Sequence, residues 1–288
     1  MNIRRRPLVF HKMHSLGNDF MVIDAISQSV DLSNQAIAAW GDRHRGIGFD
    51  QLLIIEAPTT PEADFSYRIF NADGSSAQQC GNGTRCVAML VQQLGLSAKQ
   101  QLVWQSAAGL FTTDFSSPTQ IETTMTVPVL NHADIPFAPE HGDTTDNPSV
   151  FTLQAGEQSF KVTPVSMGNP HAVLFCDDIF SLDVDEIGGL LTRHPAFPEG
   201  ANVGFCQVVD RQFIRLRVFE RGAGETQACG SGACGAVVAA RLHDKVGERV
   251  KVSLPGGKLR IKWPDTDSPV TMSGDASYVY RGELQLDQ

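Results

Sequence analysis

The chain lacks any apolar run approaching the ~20 residues that span a bilayer, which excludes a conventional transmembrane helix. It also lacks clustered positive charge. Lys and Arg number 23 against 32 Asp and Glu, for a net charge of −9. The one basic cluster is Arg4-Arg5-Arg6. Phosphate backbones are held by clustered cations, so no nucleic-acid partner is expected. Only Leu8-Val9-Phe10 follows that cluster before polar residues resume, too short for a signal-peptide core, and the cytoplasm is the expected compartment. Cysteine is sparse, with six in 288 residues and no Cys-x-x-Cys. The spacings of Cys80 to Cys86 and of Cys229 to Cys234 do not suit a zinc knuckle, so reduced thiols and no structural metal are expected.

What is present points to a duplicated globular protein. A hydrophobic fraction of 42% supports real cores, and 288 residues suffice for two domains. Ala77-Gln78-Gln79-Cys80-Gly81-Asn82-Gly83-Thr84-Arg85-Cys86 returns as Thr226-Gln227-Ala228-Cys229-Gly230-Ser231-Gly232-Ala233-Cys234. At the same offset of 149, Tyr67-Arg68-Ile69-Phe70 matches Leu216-Arg217-Val218-Phe219 and Asn71 falls opposite Glu220. Upstream the offset is 151: Gly17-Asn18 pairs with Gly168-Asn169, Val22 with Val173 and Gln51 with Asn202. Two offsets kept over several segments read as duplicated domains, not as a short-period solenoid.

Residues Phe20–Ile23, Gln51–Ile55, Phe65–Phe70, Leu102–Trp104, Ile121–Val127, Ala172–Phe175, Asn202–Val209 and Phe213–Phe219 have strand character. They are rich in Val, Ile, Phe and Thr and are bounded by turn formers. The stretches after Cys80 and Cys229 are apolar nearly all round, as in helices buried within a domain. Gly95 is a natural stop for the first of them. Residues 136–149 read as a loop and 264–269 as a hairpin-type turn.

Each repeated cysteine stands where a Gly-rich turn runs into an apolar helix. Gly81, Gly83, Gly230 and Gly232 permit close approach of a ligand to backbone N–H groups. A helix N-terminus favours a thiolate, so both thiols are expected to ionise below the usual ~8.5. The same N–H groups would hold a carboxylate whose α-carbon lies between two sulfurs. One thiol could then remove the weakly acidic α-proton and the other return it, with no cofactor. A single cysteine of this kind is as often only a small core residue; two at matched positions argue for chemistry. Cys86, Cys176, Cys206 and Cys234 read as core. Asn18, Gln51, Asn71, Asn169 and Asn202 are each ordinary turn or cap residues taken singly. With Glu220 and Arg221 they form a set able to bind a zwitterion, Arg for carboxylate and Glu for ammonium. His171 is placed to tune a thiol.

In these segments the chain resembles the bacterial diaminopimelate epimerases over essentially its full length. The resemblance is carried by His14-Ser15-Leu16-Gly17-Asn18-Asp19-Phe20, Gly46-Ile47-Gly48-Phe49-Asp50-Gln51, Phe70-Asn71-Ala72-Asp73-Gly74-Ser75, Cys80-Gly81-Asn82-Gly83, Met167-Gly168-Asn169-Pro170-His171, Ala201-Asn202-Val203-Gly204-Phe205, and the run from Phe219-Glu220-Arg221 to Cys229-Gly230-Ser231-Gly232.

The resemblance implies an α+β fold of two pseudo-symmetric domains, each a mostly antiparallel sheet rolled around a central apolar helix. One half would cover residues 1–128 with a return over 275–288, the other 129–274. It implies conversion of LL-2,6-diaminopimelate to the meso form in lysine and peptidoglycan precursor synthesis, by a homodimer without cofactor or metal. Cys80 and Cys229 would be the acid/base pair. Gly81, Asn82, Gly230 and Ser231 would hold the reacting carboxylate. Asn18, Gln51, Asn71, Asn169, Asn202, Glu220 and Arg221 would contact the rest of the substrate, and His171 and Glu220 would adjust the thiols. Ser15 departs from the family's usual Gly, and Gly200 from a larger polar residue. Two rivals share the cysteines: a proline or hydroxyproline racemase, and a thiol redox or metal-binding protein, which has no need of the Asn/Gln set.

Overall fold

The computed structural model describes residues 7–285 except 78–79, 108 and 118–119, so Arg4–Arg6 and the motif residues Gln78 and Gln79 lie outside it. The chain divides into two compact units, Met1–Thr123 with Gly274–Gln288, and Thr124–Ser273. Strands dominate both, and most strand pairs are antiparallel. Among the described residues there are four α-helices: α1 (Asn34–Gly41), α2 (Gly81–Gln93), α3 (Val184–Leu191) and α4 (Gly230–Leu242). None is long and apolar enough to cross a membrane.

In the first unit Leu8–Ser15 pairs antiparallel with both Asn18–Asp24 and Ser277–Leu284. Asn18–Asp24 then runs parallel to Gln51–Glu56, which pairs antiparallel with Phe65–Asn71. Phe65–Asn71 lies parallel to Gln101–Ser106, and Gly109–Ser117 closes against that strand. The second unit repeats the pattern. Gln158–Ser166 pairs with Pro170–Phe175, which runs parallel to Asn202–Asp210. Asn202–Asp210 pairs with Phe213–Glu220, and that strand lies parallel to Arg249–Leu254. The registers repeat too. Phe20 faces Gln51 as His171 faces Asn202, and Ile69 faces Ala77 as Val218 faces Thr226. Both offsets seen in the sequence are therefore built into backbone pairing.

Both 13-residue helices are largely buried: α4 is apolar on nearly every face, while α2 buries the apolar run Cys86–Val91 apart from half-buried Met89, together with Asn82, Thr84 and Arg85, and exposes Gln92 and Gln93. Cys86, Val87, Ala88, Leu90 and Val91 of α2 join Phe20, Leu53, Tyr67 and Trp104 in one core. α4 buries every residue from Gly232 to Ala240 and packs on Gln158–Ser166, Asn202–Asp210 and neighbouring strands. Cys86, Cys206 and Cys234 are buried and Cys176 is half-buried, and none of the four caps a helix.

Both helices stop in the same way. Gly95 takes φ +68° after α2, with Gly95 N–H donating to Gln92 and Leu96 N–H to Val91. After α4 the left-handed residue is Asp244 at φ +52°, with equivalent bonds to Arg241 and Ala240. The stretch 264–269 does link the antiparallel strands Gly257–Lys262 and Thr271–Gly274. The strand expected over 121–127 ends earlier, at Thr124. Beyond it Met125 and Val270 continue backbone bonding outside a regular strand, with Val270 N–H donating to Thr126. Within 136–149 the chain is mostly irregular, with a 3-10 turn at Pro139–His141 and a two-residue strand at Asp143–Thr144.

Candidate active site

Each unit sets its repeated cysteine at the N-cap of its long helix. Cys80 caps α2 with φ −147°, ψ 104°, and Cys229 caps α4 with φ −114°, ψ 111°. Each sulfur accepts the N–H of the glycine three residues on, Gly83 or Gly232, at 3.4 Å. Thiols thus occupy the place usually held by Ser or Asp. The space beside each glycine is tight. A Cβ on Gly83 would lie 3.1 Å from Leu53 Cδ1, and one on Gly232 3.1 Å from Val218 Cγ2. The helix starts, Gly81-Asn82 and Gly230-Ser231, carry first-turn N–H groups suited to an anion.

Around Cys80 the neighbours are amides. Asn18 Oδ1 accepts the Cys80 thiol at 3.7 Å and Asn82 Nδ2 at 3.3 Å, while Asn18 Nδ2 donates to Asp50 Oδ2 at 2.9 Å. Gln51 Nε2 donates to Asn71 Oδ1 at 3.1 Å across the strand pair that sets them opposite each other, and Asn71 Nδ2 donates to Ser75. The first unit therefore gathers Asn18, Cys80, Gly81 and Asn82 in one cluster, with Gln51 and Asn71 joined to each other.

The sequence reading missed the charged frame behind these amides. Arg43 binds both Asp19 and Asp50, and Lys12 also pairs with Asp19. Burial alone would raise the Asp19 carboxyl, but its bonds to Arg43 and Lys12 hold it at about 2. Arg85, wholly buried in α2, was missed as well. An Arg set directly before the apolar run Cys86–Val91 was the signal that could have found it.

Around Cys229 the neighbours are a carboxylate and a hydroxyl. Ser231 Oγ lies 3.6 Å from the sulfur, and Glu220, whose Oε1 accepts Thr226 Oγ1 at 2.5 Å, stands beside it. Here the sequence expectation is corrected. The Cys229 thiol is pushed well above its ordinary range, not below it, by burial and by the Glu220 carboxylate. The helix-start N–H of Gly232 and the Ser231 hydroxyl pull the other way and do not offset this.

His171 is buried, with its Nε2 3.1 Å from Asn169 Oδ1 and its ring against the Gly235 position of α4. Burial, with the Arg221 charge, lowers it to about 3, so it acts as a neutral ring and not as a cation. Asn202 Oδ1 accepts the Arg221 backbone N–H at 2.9 Å. The Arg221 side chain folds over Gly200, donating through Nη1 to the carbonyls of Glu199 and Gly200. Gly200 has φ +72°, and a Cβ there would sit 2.9 Å from Arg221 Cδ, which accounts for its small size in this chain. Arg221 Nε and Nη2 make no hydrogen bond among the described residues, which leaves that edge able to take a carboxylate. Also among the described residues, no group of three His, Cys, Asp or Glu side chains is arranged to hold a metal ion.

Solved structures place this fold in a class that contains epimerases and isomerases. A hydroxyproline epimerase from Agrobacterium vitis, with bound trans-4-OH-L-proline, matches with a TM-score of 0.71 at 14% identity, covering 99% of this chain and 94% of its own. A PhzF-family phenazine biosynthesis protein from Bacillus anthracis matches with a TM-score of 0.69 at 14% identity, covering 98% and 100%. A methylitaconate-delta-isomerase matches with a TM-score of 0.65 at 14% identity, covering 98% and 96%. At this identity the likeness is one of fold. The family itself follows from sequence: the profile described as Diaminopimelate epimerase matches residues 10–130 and 163–279. The chain belongs to the diaminopimelate epimerase family.

Proposed function

We propose that the chain is a cofactor-independent epimerase converting LL-2,6-diaminopimelate to the meso form, with Cys80 and Cys229 as its acid/base pair. The observation that carries this is the matched capping of α2 and α4 by thiols whose helix starts carry anion-binding N–H groups. An α-proton is removed only if the charge developing on the carboxylate is stabilised, and fixed N–H donors do this. The first turns at Gly81-Asn82 and Gly230-Ser231 would hold the reacting carboxylate. One sulfur then takes the α-proton and the other returns one to the opposite face. Glu220 would adjust the ionisation of Cys229 from beside it, and His171, as a neutral ring, would do so through its dipole and packing.

The far end of the substrate decides between amino acids. Arg221 with its open edge, Asn169, Asn202 and Glu220 in the second unit, and Asn18, Gln51 and Asn71 in the first, supply groups of the kind that suit a second carboxylate and ammonium. That favours diaminopimelate. The competing substrate is proline or hydroxyproline, favoured by the bound ligand of the Agrobacterium vitis neighbour. In this reading each half is a mostly antiparallel sheet rolled around its helix. The enzyme works in the cytoplasm as a homodimer and supplies lysine and peptidoglycan precursors. Optical rotation followed with LL-diaminopimelate and with each proline enantiomer tests the choice. Change with diaminopimelate alone is expected; change with proline alone would overturn it.

A further inference from the structure

Arg85 is the largest buried cationic side chain of the first unit, and none of the roles assigned above uses it. Its guanidinium donates to Ser15 Oγ at 2.7 Å from Nη2 and 3.2 Å from Nε. It also donates to the carbonyls of Asp275 at 3.3 Å and Gly81 at 3.2 Å, and to Asn82 Oδ1 at 2.6 Å. Ser15 in turn donates to the Asp275 carbonyl at 2.7 Å. The Ser15 hydroxyl thus anchors this arginine. In the repeat, Arg85 corresponds to Cys234, so the second unit has no counterpart.

The polarity of these bonds has a consequence for Cys80. A guanidinium has donors only, so Asn82 must turn its carbonyl oxygen to Arg85. Its NH2 then points at Asn18 and requires an oxygen there, 3.3 Å away. From the other side Asp50, ion-paired with Arg43, can only accept, and so takes the Asn18 NH2. One orientation of both amides satisfies both ends. It leaves the Asn18 oxygen, not its NH2, at 3.7 Å from the Cys80 sulfur.

We propose that Arg85 is a positioning residue: through the relay Arg85–Asn82–Asn18–Asp50 it fixes a carbonyl oxygen against the Cys80 sulfur and so keeps Cys80 as a thiol, the proton donor, in the resting protein. An oxygen acceptor stabilises S–H and opposes S⁻. Cys80 is then armed to deliver a proton, and the Glu220–Cys229 pair is left as the side that removes one. That consequence rests on the epimerase reading; the relay itself does not.

Among the described residues, the titratable and charged groups near this sulfur and its amide partner include Asp50, Asp19, Arg43 and Lys12, together with Arg85, the Tyr67 phenol, the Cys86 thiol and the Asp275 carboxylate. The test is the pH dependence of Cys80 alkylation by iodoacetamide, followed by peptide mass mapping, in the full-length protein. Wild type, Arg85→Met, Asp50→Asn and the double variant form a cycle. By charge alone the first substitution raises the midpoint, the second lowers it, and the double variant shows their sum. With the relay, either end suffices to pin Asn18, and only the double variant lets its NH2 swing to the sulfur. The double variant is then expected about one pH unit below the sum, or ~tenfold faster alkylation below the midpoint. Additive midpoints would overturn the proposal.

Arg85→Lys keeps a donor and is expected to stay near wild type. Asn82→Ala with Asp50→Asn cuts the relay without removing the Arg85 charge. It is expected to show the same excess shift, also if Arg85→Met fails to fold, and additivity there too would overturn the relay. None of these readings needs turnover, so a failure of the epimerase reading would show separately, as absence of solvent-proton exchange into substrate.

Discussion

Glu220 and Asn71 occupy matched places in the repeat, and the difference is one of charge beside a thiol. The Glu220 carboxylate disfavours the Cys229 thiolate, so Glu220→Gln should lower the pH at which Cys229 ionises and hasten its alkylation near neutrality. An unmoved midpoint would contradict that electrostatic reading. Cys80→Ala and Cys229→Ala should each abolish epimerisation, at least ~10³-fold, since general acid/base groups commonly contribute 10²–10⁴. His171 offers a pH prediction with a definite sign. Its folded value of about 3 lies below the unfolded value of 6.5. Its contribution to stability is therefore present above the unfolded value and is lost as pH falls from there toward 3. Its ring-proton NMR shifts should stay flat between pH 8 and 5 in the native protein.

The helices depend on glycine at two kinds of place. Gly83→Ala and Gly232→Ala push a Cβ against Leu53 and Val218, and each should cost about 1–3 kcal/mol by denaturant titration while displacing the adjacent cap. Gly95→Ala meets no atom within 4 Å but keeps φ +68°, so its cost should be roughly 1 kcal/mol from the left-handed backbone alone. Much at this scale was legible in the sequence. Apolar helices starting at Cys-Gly-x-Gly, the stop at Gly95 and the strands around Gln51–Glu56 and Phe213–Glu220 follow from local pattern. Gly109–Ser117, rich in Thr and Ser, has no apolar run to announce it and owes its strand to pairing with Gln101–Ser106. The cap cysteines were legible, but the ionisation of Cys229 was not. Helix dipole is a local property, whereas burial and the approach of Glu220 are tertiary. The Arg85 relay was hidden for the same reason, since Ser15, Arg85 and Asp275 meet only after the C-terminal return joins the first unit.

At the scale of the molecule, duplication is the organising fact. Strand registers, helix caps and helix stops recur between the units, while the chemistry beside each sulfur does not. Amides and a buried arginine attend Cys80; a carboxylate, a hydroxyl and a neutral imidazole attend Cys229. Repeated scaffolding with different neighbours is what the proposed mechanism, with its opposite proton duties for the two thiols, requires. The most direct measurement is turnover of LL-diaminopimelate in deuterated water, with mass and NMR analysis of the product. The expected product is the meso form carrying one deuterium at the inverted α-carbon, formed by wild type and by neither cysteine variant. Meso product free of solvent deuterium, or full activity with either cysteine replaced, would contradict the two-thiol mechanism.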